Sequence, residues 1–166
     1  MSYKEFLRFR SLTPCAESFM EYLRDGGFPE FVRTGNQDVL TALFDDILYR
    51  DIAVRYGIRD VVSLKALLLY LAANFGNLAS ANKLAGMVGI KTGKTALEYL
   101  SYFEEAYFIS RMPKFSWSLK AQYVNPQKIY FIDTALSQAV TVSFTGNTGH
   151  MPVSYTHLTL PTNREV

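Results

Sequence analysis

The segment SANKLAGMVGIKTGKTALEYL, residues 80–100, has the clearest secondary-structure pattern in the chain. Ser80 can cap a helix of about two turns, and Gly89 would end it. Thr92 can then cap a longer helix that runs to about Glu105. A short helix, a turn that contains glycine and a longer helix form the layout of a helix-turn-helix, so the segment predicts that motif.

The same segment contains Gly93-Lys94-Thr95, which is how a phosphate-binding loop ends. Such a loop has another glycine five positions earlier, where this chain has Val88. It also follows a buried strand, whereas the residues before Gly89 have helical spacing and good helix formers. The sequence therefore predicts that Lys94 and Thr95 lie on the first turn of a helix and do not bind ATP.

Apolar spacing predicts further helices upstream, at about residues 14–24, 37–56 and 63–76, the last capped by Ser63. Downstream, β-leaning runs at 106–112 and 128–133 predict a hairpin. The predicted fold class is mainly α with a small β-hairpin, in which a helical connector precedes a winged helix-turn-helix.

Asp133 ends the apolar run IYFID, which is how nucleotide hydrolases present the carboxylate that binds Mg²⁺. The Mg²⁺ site of such an enzyme also needs a phosphate-binding loop, which this sequence is not expected to form. We therefore expect Asp133 to cap a short helix that follows it, at residues 133–140.

Asp51 is an unusual residue in the long helix at residues 37–56. Counting about 100° per residue from Leu40 places its carboxylate near the middle of the apolar stripe. A bare carboxylate there would be unfavourable, and Arg55 is one turn away. The sequence predicts a structural ion pair between Asp51 and Arg55, and contact with a missing domain is the alternative.

The composition of the 166 residues, 49% of them hydrophobic, suits one domain or two small ones. The longest apolar run, residues 66–75, is shorter than the roughly 20 residues of a membrane span, and no charged-then-apolar leader opens the chain. We expect a cytoplasmic protein with no membrane contact. The single cysteine and two histidines argue against an internal disulfide, a zinc finger or a histidine-rich metal site. No nucleophile has an evident base partner, so an enzyme is not expected.

The charge balance becomes more basic towards the C-terminus, and residues 63–106 contain 4 basic and 3 acidic side chains. Residues 1–62 contain 8 basic and 10 acidic side chains, whereas residues 107–152 contain 4 basic and 1 acidic. The candidates for contact with DNA or a partner are Lys91, Lys94, Thr95, Arg111, Lys114 and Lys120. An ordinary solvated surface is the alternative for the lysines.

The outer face of the longer helix would carry Lys94, Thr95, Glu98, Ser101 and Tyr102. Glu98 would repel phosphate, which is unfavourable for a helix that reads a DNA groove. In the hairpin we expect Phe115 and Trp117 to pack against the body of the domain rather than to stack on bases.

Several motifs together resemble a known family. They are GGFPE at 26–30, Arg50-Asp51, KLAGMVGIKTGKTALEYLSYFEEAYFI at 83–109 and KIYFIDTAL at 128–136. This set is similar to the C-terminal half of prokaryotic predicted ATPases of the AAA+ superfamily, and the opening SYKEFLRFR is similar to the last segment of their ATPase core. One departure is Ala135, where the family tends to have glycine, so a tight backbone approach there is in doubt.

The resemblance implies ATP and Mg²⁺ for the full-length family, but its ATP-binding loop lies upstream of this chain, so no cofactor is expected here. It also implies a nuclease-like fold beyond the winged helix. The implied organisation is a helical connector at 1–62, a winged-helix domain at 63–140 and the start of a truncated nuclease-like domain at 141–152. Residues 153–166 form a tail whose VSYTHLTLPT resembles a translated sequencing adapter.

Two functions are therefore expected for this chain. The first is a non-catalytic interaction and regulatory module whose partner is the missing ATPase core of the same polypeptide or another protein. The second is a winged-helix DNA-binding module that contacts duplex DNA with its third helix and basic hairpin.

Overall fold

Helices make up most of the chain in the computed structural model, which describes residues 1–118, 120, 122 and 125–145, with side chains up to residue 140. The helices are α1 Tyr3–Arg10, α2 Ala16–Asp25, α3 Pro29–Thr34, α4 Gln37–Asp45, α5 Val61–Ala73, α6 Ala81–Val88, α7 Gly93–Glu105 and α8 Thr134–Thr145. A π-helix, Asp46–Val54, continues α4. The nuclease-like start and adapter-like tail predicted beyond residue 145 lie outside the described residues.

Three short strands form one antiparallel sheet. They are β1 Leu78–Ala79, β2 Ile109–Met112 and β3 Gln127–Phe131, in the order β1-β3-β2. The predicted hairpin is β2 and β3, which pair in the register Arg111 with Ile129. The sequence did not predict β1, whose two residues are too few for a recognisable alternation.

Helices α6 and α7 begin and end where their capping residues predict. The Ser80 hydroxyl accepts a hydrogen bond from the Lys83 amide at 3.4 Å. The Thr92 hydroxyl accepts one from the Thr95 amide at 3.1 Å. Gly89 ends α6 with a left-handed φ of 74°. The predicted helix ahead of Gly93 is therefore confirmed, and it occupies the position where a phosphate-binding loop would have a strand.

The cap of α5 lies three residues before the predicted one. Asp60 is the capping residue, and its carboxylate accepts the Ser63 amide at 3.0 Å. Hydrogen bonds from the Ser63 side chain and backbone hold the pKa of Asp60 below its usual value. The sequence also did not predict α1 and α3, which are both short.

The long helix at the end of the connector changes type, and this overturns the predicted ion pair. Asp51 and Arg55 are both exposed, and they form no salt bridge with each other. In a π-helix each backbone hydrogen bond spans five residues rather than four, so the turn is wider. Buried Phe44, Leu48 and Ile52 therefore recur at every fourth residue, and Asp51 rotates out of the apolar stripe.

The main core lies between the long helix, α5, α7 and the sheet. Its fully buried side chains include Phe44, Leu64, Leu67, Leu68, Phe103, Phe108 and Ile109. The predicted inward residues of α7, Ala96, Leu100 and Phe103, are all buried. Helix α8 packs against α2, α4 and α5, and this joins the N-terminal helices to α5. Within the described residues, no helix has the length and apolarity needed to cross a bilayer.

Candidate partner and nucleic-acid interface

Three of the six predicted binding residues, Lys91, Lys94 and Thr95, lie in or just before the first turn of α7. Lys91 lies exposed in the preceding turn, and Lys94 is exposed on α7. The Lys94 ammonium lies 4.0 Å from the Glu98 carboxylate one turn on, an exposed pair of small energetic value. The Thr95 hydroxyl lies 3.0 Å from that of Thr92, so it takes part in the helix cap.

The C-terminal half of the predicted outer face of α7 is partly covered by a residue from the segment that precedes α5. The Tyr102 ring stacks on the Tyr56 ring at 3.8 Å between centroids and 12° between planes. The Tyr56 hydroxyl donates to Glu105 at 2.6 Å, and this hydrogen bond raises the pKa of Tyr56. Tyr102 is therefore not a free surface residue, because a distant segment of the chain stacks on it.

The charge of α7 is unfavourable for a helix that enters a DNA groove. Its only basic side chain is Lys94, whereas Glu98, Glu104 and Glu105 are acidic. Glu98 also partly neutralises Lys94. The helix as a whole would repel a phosphate backbone more than it attracts one.

Arg111 lies in β2, where it forms an internal ion pair. Its guanidinium Nε donates to Glu104 Oε2 at 2.8 Å, and its backbone amide donates to Glu104 Oε1 at 3.2 Å. A second guanidinium nitrogen contacts the same carboxylate. The turn after α7 folds β2 back beside the end of that helix, so Arg111 ties the strand to α7 and is not a free cation for a partner.

The loop between β2 and β3 carries the remaining predicted lysines, Lys114 and Lys120, and both are exposed. The expectation that Phe115 and Trp117 pack against the body of the domain is wrong. Phe115 is 74% exposed and Trp117 is 95% exposed. Both rings therefore lie largely in solvent.

A contact between distant segments, which we call the glycine–aspartate junction, comprises Gly26, Gly27, Asp133 and Ala135. Asp133 Oδ1 accepts the Ala135 amide at 2.8 Å, which confirms the predicted cap of α8. Asp133 Oδ2 accepts the Gly27 amide at 2.7 Å, a contact that sequence reasoning missed. The signal that could have revealed it is that both segments belong to the motifs of the family resemblance.

Gly26 is the residue that makes this approach possible. An added Cβ would lie 2.5 Å from Asp133 Oδ1 and 2.6 Å from the Cβ of Ala135. The same Cβ would lie 2.9 Å from the backbone nitrogen of Ala135, so the close approach joins these two residues and the glycine that permits it is Gly26. The junction fastens the end of α2 to the start of α8.

A pocket lies on the side of the sheet that contains β1. It has a volume of about 290 Å³ and lies between α5, β1 and α6, with Asn74, Asn77 and Lys83 as its polar lining. Tyr70 also lines this pocket, and among the described residues its lining contains no carboxylate, serine, cysteine or histidine side chain. Within the described part of the chain, no group of histidine, cysteine, aspartate and glutamate side chains could hold a metal ion.

Comparison with known proteins places the chain among prokaryotic relatives. It is 28% identical to an uncharacterized protein of Methanocaldococcus jannaschii, with 91% of this chain and 38% of that protein covered. It is 27% identical to an uncharacterized protein of Haemophilus influenzae, with 82% of this chain and 37% of that protein covered. The chain thus spans about two fifths of the length of these relatives, and no solved structure matches it. Residues 16–147 match one family across most of the chain, which therefore belongs to the family Domain of unknown function (DUF8612).

Proposed function

We propose that this chain is a non-catalytic coupling and recognition module of a cytoplasmic ATPase of the AAA+ type, built on a winged helix. The observation that carries the proposal is the glycine–aspartate junction. Asp133 binds the Gly27 amide with one oxygen and caps α8 with the other. A displacement of α2 would therefore be transmitted to α8 and from there to α5.

The winged-helix part of the proposal is supported by the order of the elements. A helix, a short strand, two helices and two strands follow one another from α5 to β3. The first strand pairs with the last, giving the sheet order β1-β3-β2. This order and pairing are typical of winged helices.

The recognition part is supported by apolar side chains on α1 and α2. Phe9, Phe19 and Met20 are exposed on these two helices. Large apolar side chains at a surface often mark a contact with another protein or domain. The relatives are more than twice as long as the segment they share with this chain, so such a domain is available in them.

The expected result of an ATP titration separates this chain from its longer relatives. Calorimetry should detect ATP binding to the full-length relative from Methanocaldococcus jannaschii and no binding to this chain. The reason is that α6, rather than a buried strand, precedes Gly93-Lys94-Thr95. Binding of ATP to this chain that Lys94→Ala abolishes would contradict the proposal, as would a full-length relative that binds no nucleotide.

Recognition of duplex DNA by α7 and the hairpin is the second candidate, favoured by the basic loop with Lys114 and Lys120. Changing Lys94, Lys114 and Lys120 together to alanine should weaken duplex binding and flatten its dependence on salt, because each lost phosphate contact lowers the slope by about 0.9. A fluorescence anisotropy titration at several salt concentrations measures both. If the unaltered chain gives no salt-sensitive binding to any duplex, this candidate is rejected.

A further inference from the structure

Two large aromatic rings stand in solvent at the loop between β2 and β3. Phe115 and Trp117 meet edge to face, with 5.4 Å between centroids and 75° between planes. Their exposed fractions, 74% and 95%, mean that the pair buries little area against the domain. The faces of the Trp117 indole are left open to another flat group.

Hydrogen bonds fix the backbone that carries these rings. The Gln122 side chain donates to the Ser116 carbonyl at 2.7 Å, and the Gln122 amide donates to the Ser118 carbonyl at 3.1 Å. The Gln127 side chain donates to the Gln122 carbonyl at 3.2 Å. The Ser116 and Ser118 carbonyls, on either side of Trp117, are therefore both held by Gln122, which lowers the entropy lost when a ligand binds at this ring.

The surroundings of the rings are cationic. From residue 106 to residue 132 the sequence contains no aspartate or glutamate. Lys114 and Lys120 flank the aromatic pair and are exposed. In the part of the chain that the structure describes, neither lysine lies within ion-pair distance of an acidic side chain. Lys94 and Arg111 are paired with glutamates, whereas no described residue offsets the charges of Lys114 and Lys120 in this way.

We propose that this loop binds single-stranded nucleic acid, with bases stacked on Trp117 and Phe115 and phosphates held by Lys114 and Lys120. Aromatic faces among basic side chains are the combination with which proteins bind unpaired strands without strict sequence preference. A duplex fits less well, because its bases are already stacked on one another and their faces are not open to the two rings. The inference is independent of the coupling role.

The test uses Trp117 as its own reporter, since it is the only tryptophan in the chain. An oligothymidylate of about 15 nucleotides, within the usual site size, should quench its fluorescence and raise the anisotropy of a labelled strand. Trp117→Ala should weaken binding about tenfold, whereas Trp117→Phe should retain most of it. Replacing Lys114 and Lys120 with alanine should flatten the salt slope by about 1.4. An oligouridylate should behave alike, because neither contact needs a 2′-hydroxyl.

Two control variants distinguish this site from the other candidates. Tyr49→Ala removes an exposed aromatic ring from the π-helix and should leave strand binding unchanged. Lys94→Ala should also leave it unchanged, although it would weaken duplex binding by α7. Circular dichroism should show that all variants keep the helical content of the unaltered chain.

Three results would overturn the inference. One is equal strand affinity for the unaltered chain and Trp117→Ala. Another is Trp117 fluorescence that responds to phosphatidylserine vesicles but not to the oligonucleotides, which would mark a membrane contact. The third is a duplex that displaces the labelled strand from the unaltered chain more effectively than an unlabelled single strand does, but not from Lys94→Ala.

Discussion

Gly26→Ala is expected to destabilise the chain by about 3 kcal/mol or more. Gly26 has φ 71° and ψ −166°, a region that is essentially restricted to glycine. The new Cβ would also collide with Asp133 Oδ1 and with the Cβ of Ala135. The end of α2 would have to move away from α8, and the Gly27 hydrogen bond to Asp133 would be lost. Urea unfolding followed by circular dichroism measures the change.

Gly35→Ala is the matched control. Gly35 also has a positive φ, 64°, but an added Cβ would meet no atom within 4 Å. Its substitution should therefore cost only the backbone strain, about 1 to 2 kcal/mol. If the two variants unfold at the same urea concentration, the close approach at the glycine–aspartate junction does not contribute to stability.

Phe108→Ala is expected to lower the free energy of unfolding by about 3 to 5 kcal/mol. Phe108 is fully buried, and its ring lies 5.8 Å from the Phe44 ring and 6.4 Å from the Phe103 ring. It therefore packs against the connector through Phe44 and against α7 through Phe103. Truncation leaves a cavity at the meeting point of both, and urea unfolding with the same probe measures the loss.

Phe115→Ala makes the same chemical change at an exposed site. Its effect on unfolding should stay within about 0.5 kcal/mol, as is usual for surface substitutions. Comparable losses for Phe108→Ala and Phe115→Ala would mean that the loop ring packs on the domain, which would also remove the basis for strand binding.

The ends of α6 and α7 could be predicted from the sequence. Ser80, Gly89 and Thr92 mark the ends of α6 and α7, and all three act as the sequence predicts. Capping depends on a side chain and an amide a few residues apart, so neighbouring sequence contains the necessary information. The cap of α5 shows the limit, because Asp60 and Ser63 are both good capping residues and only one position is used.

The predicted ion pair of Asp51 with Arg55 failed for a different reason. Angular counting assumed a regular α-helix, and the switch to a π-helix after Asp45 changes which residues face the core. The wider turn lets Phe44, Leu48 and Ile52 all pack in the core. These are tertiary contacts, and the periodicity of the sequence does not reveal them.

The sequence shows which residues of the candidate interface are basic, but it does not show which of them contact other parts of the chain. The sequence correctly assigned the basic excess to the hairpin segment, since charge can be counted residue by residue. It did not reveal that Arg111 is held by Glu104 or that Tyr102 is stacked under Tyr56. It also expected Trp117 to be covered. Each of these outcomes depends on which parts of the chain face each other.

The sequence by itself determined the mainly helical class, the order of α5, α6, α7, β2 and β3 and the caps of α6 and α7, because these follow from interactions between residues close in the chain. The tertiary structure alone decided that Asp133 meets Gly27, 106 residues away, and that Trp117 stands in solvent. Contacts between distant segments form only when the whole chain packs, so their partners are selected by shape and burial rather than by local pattern.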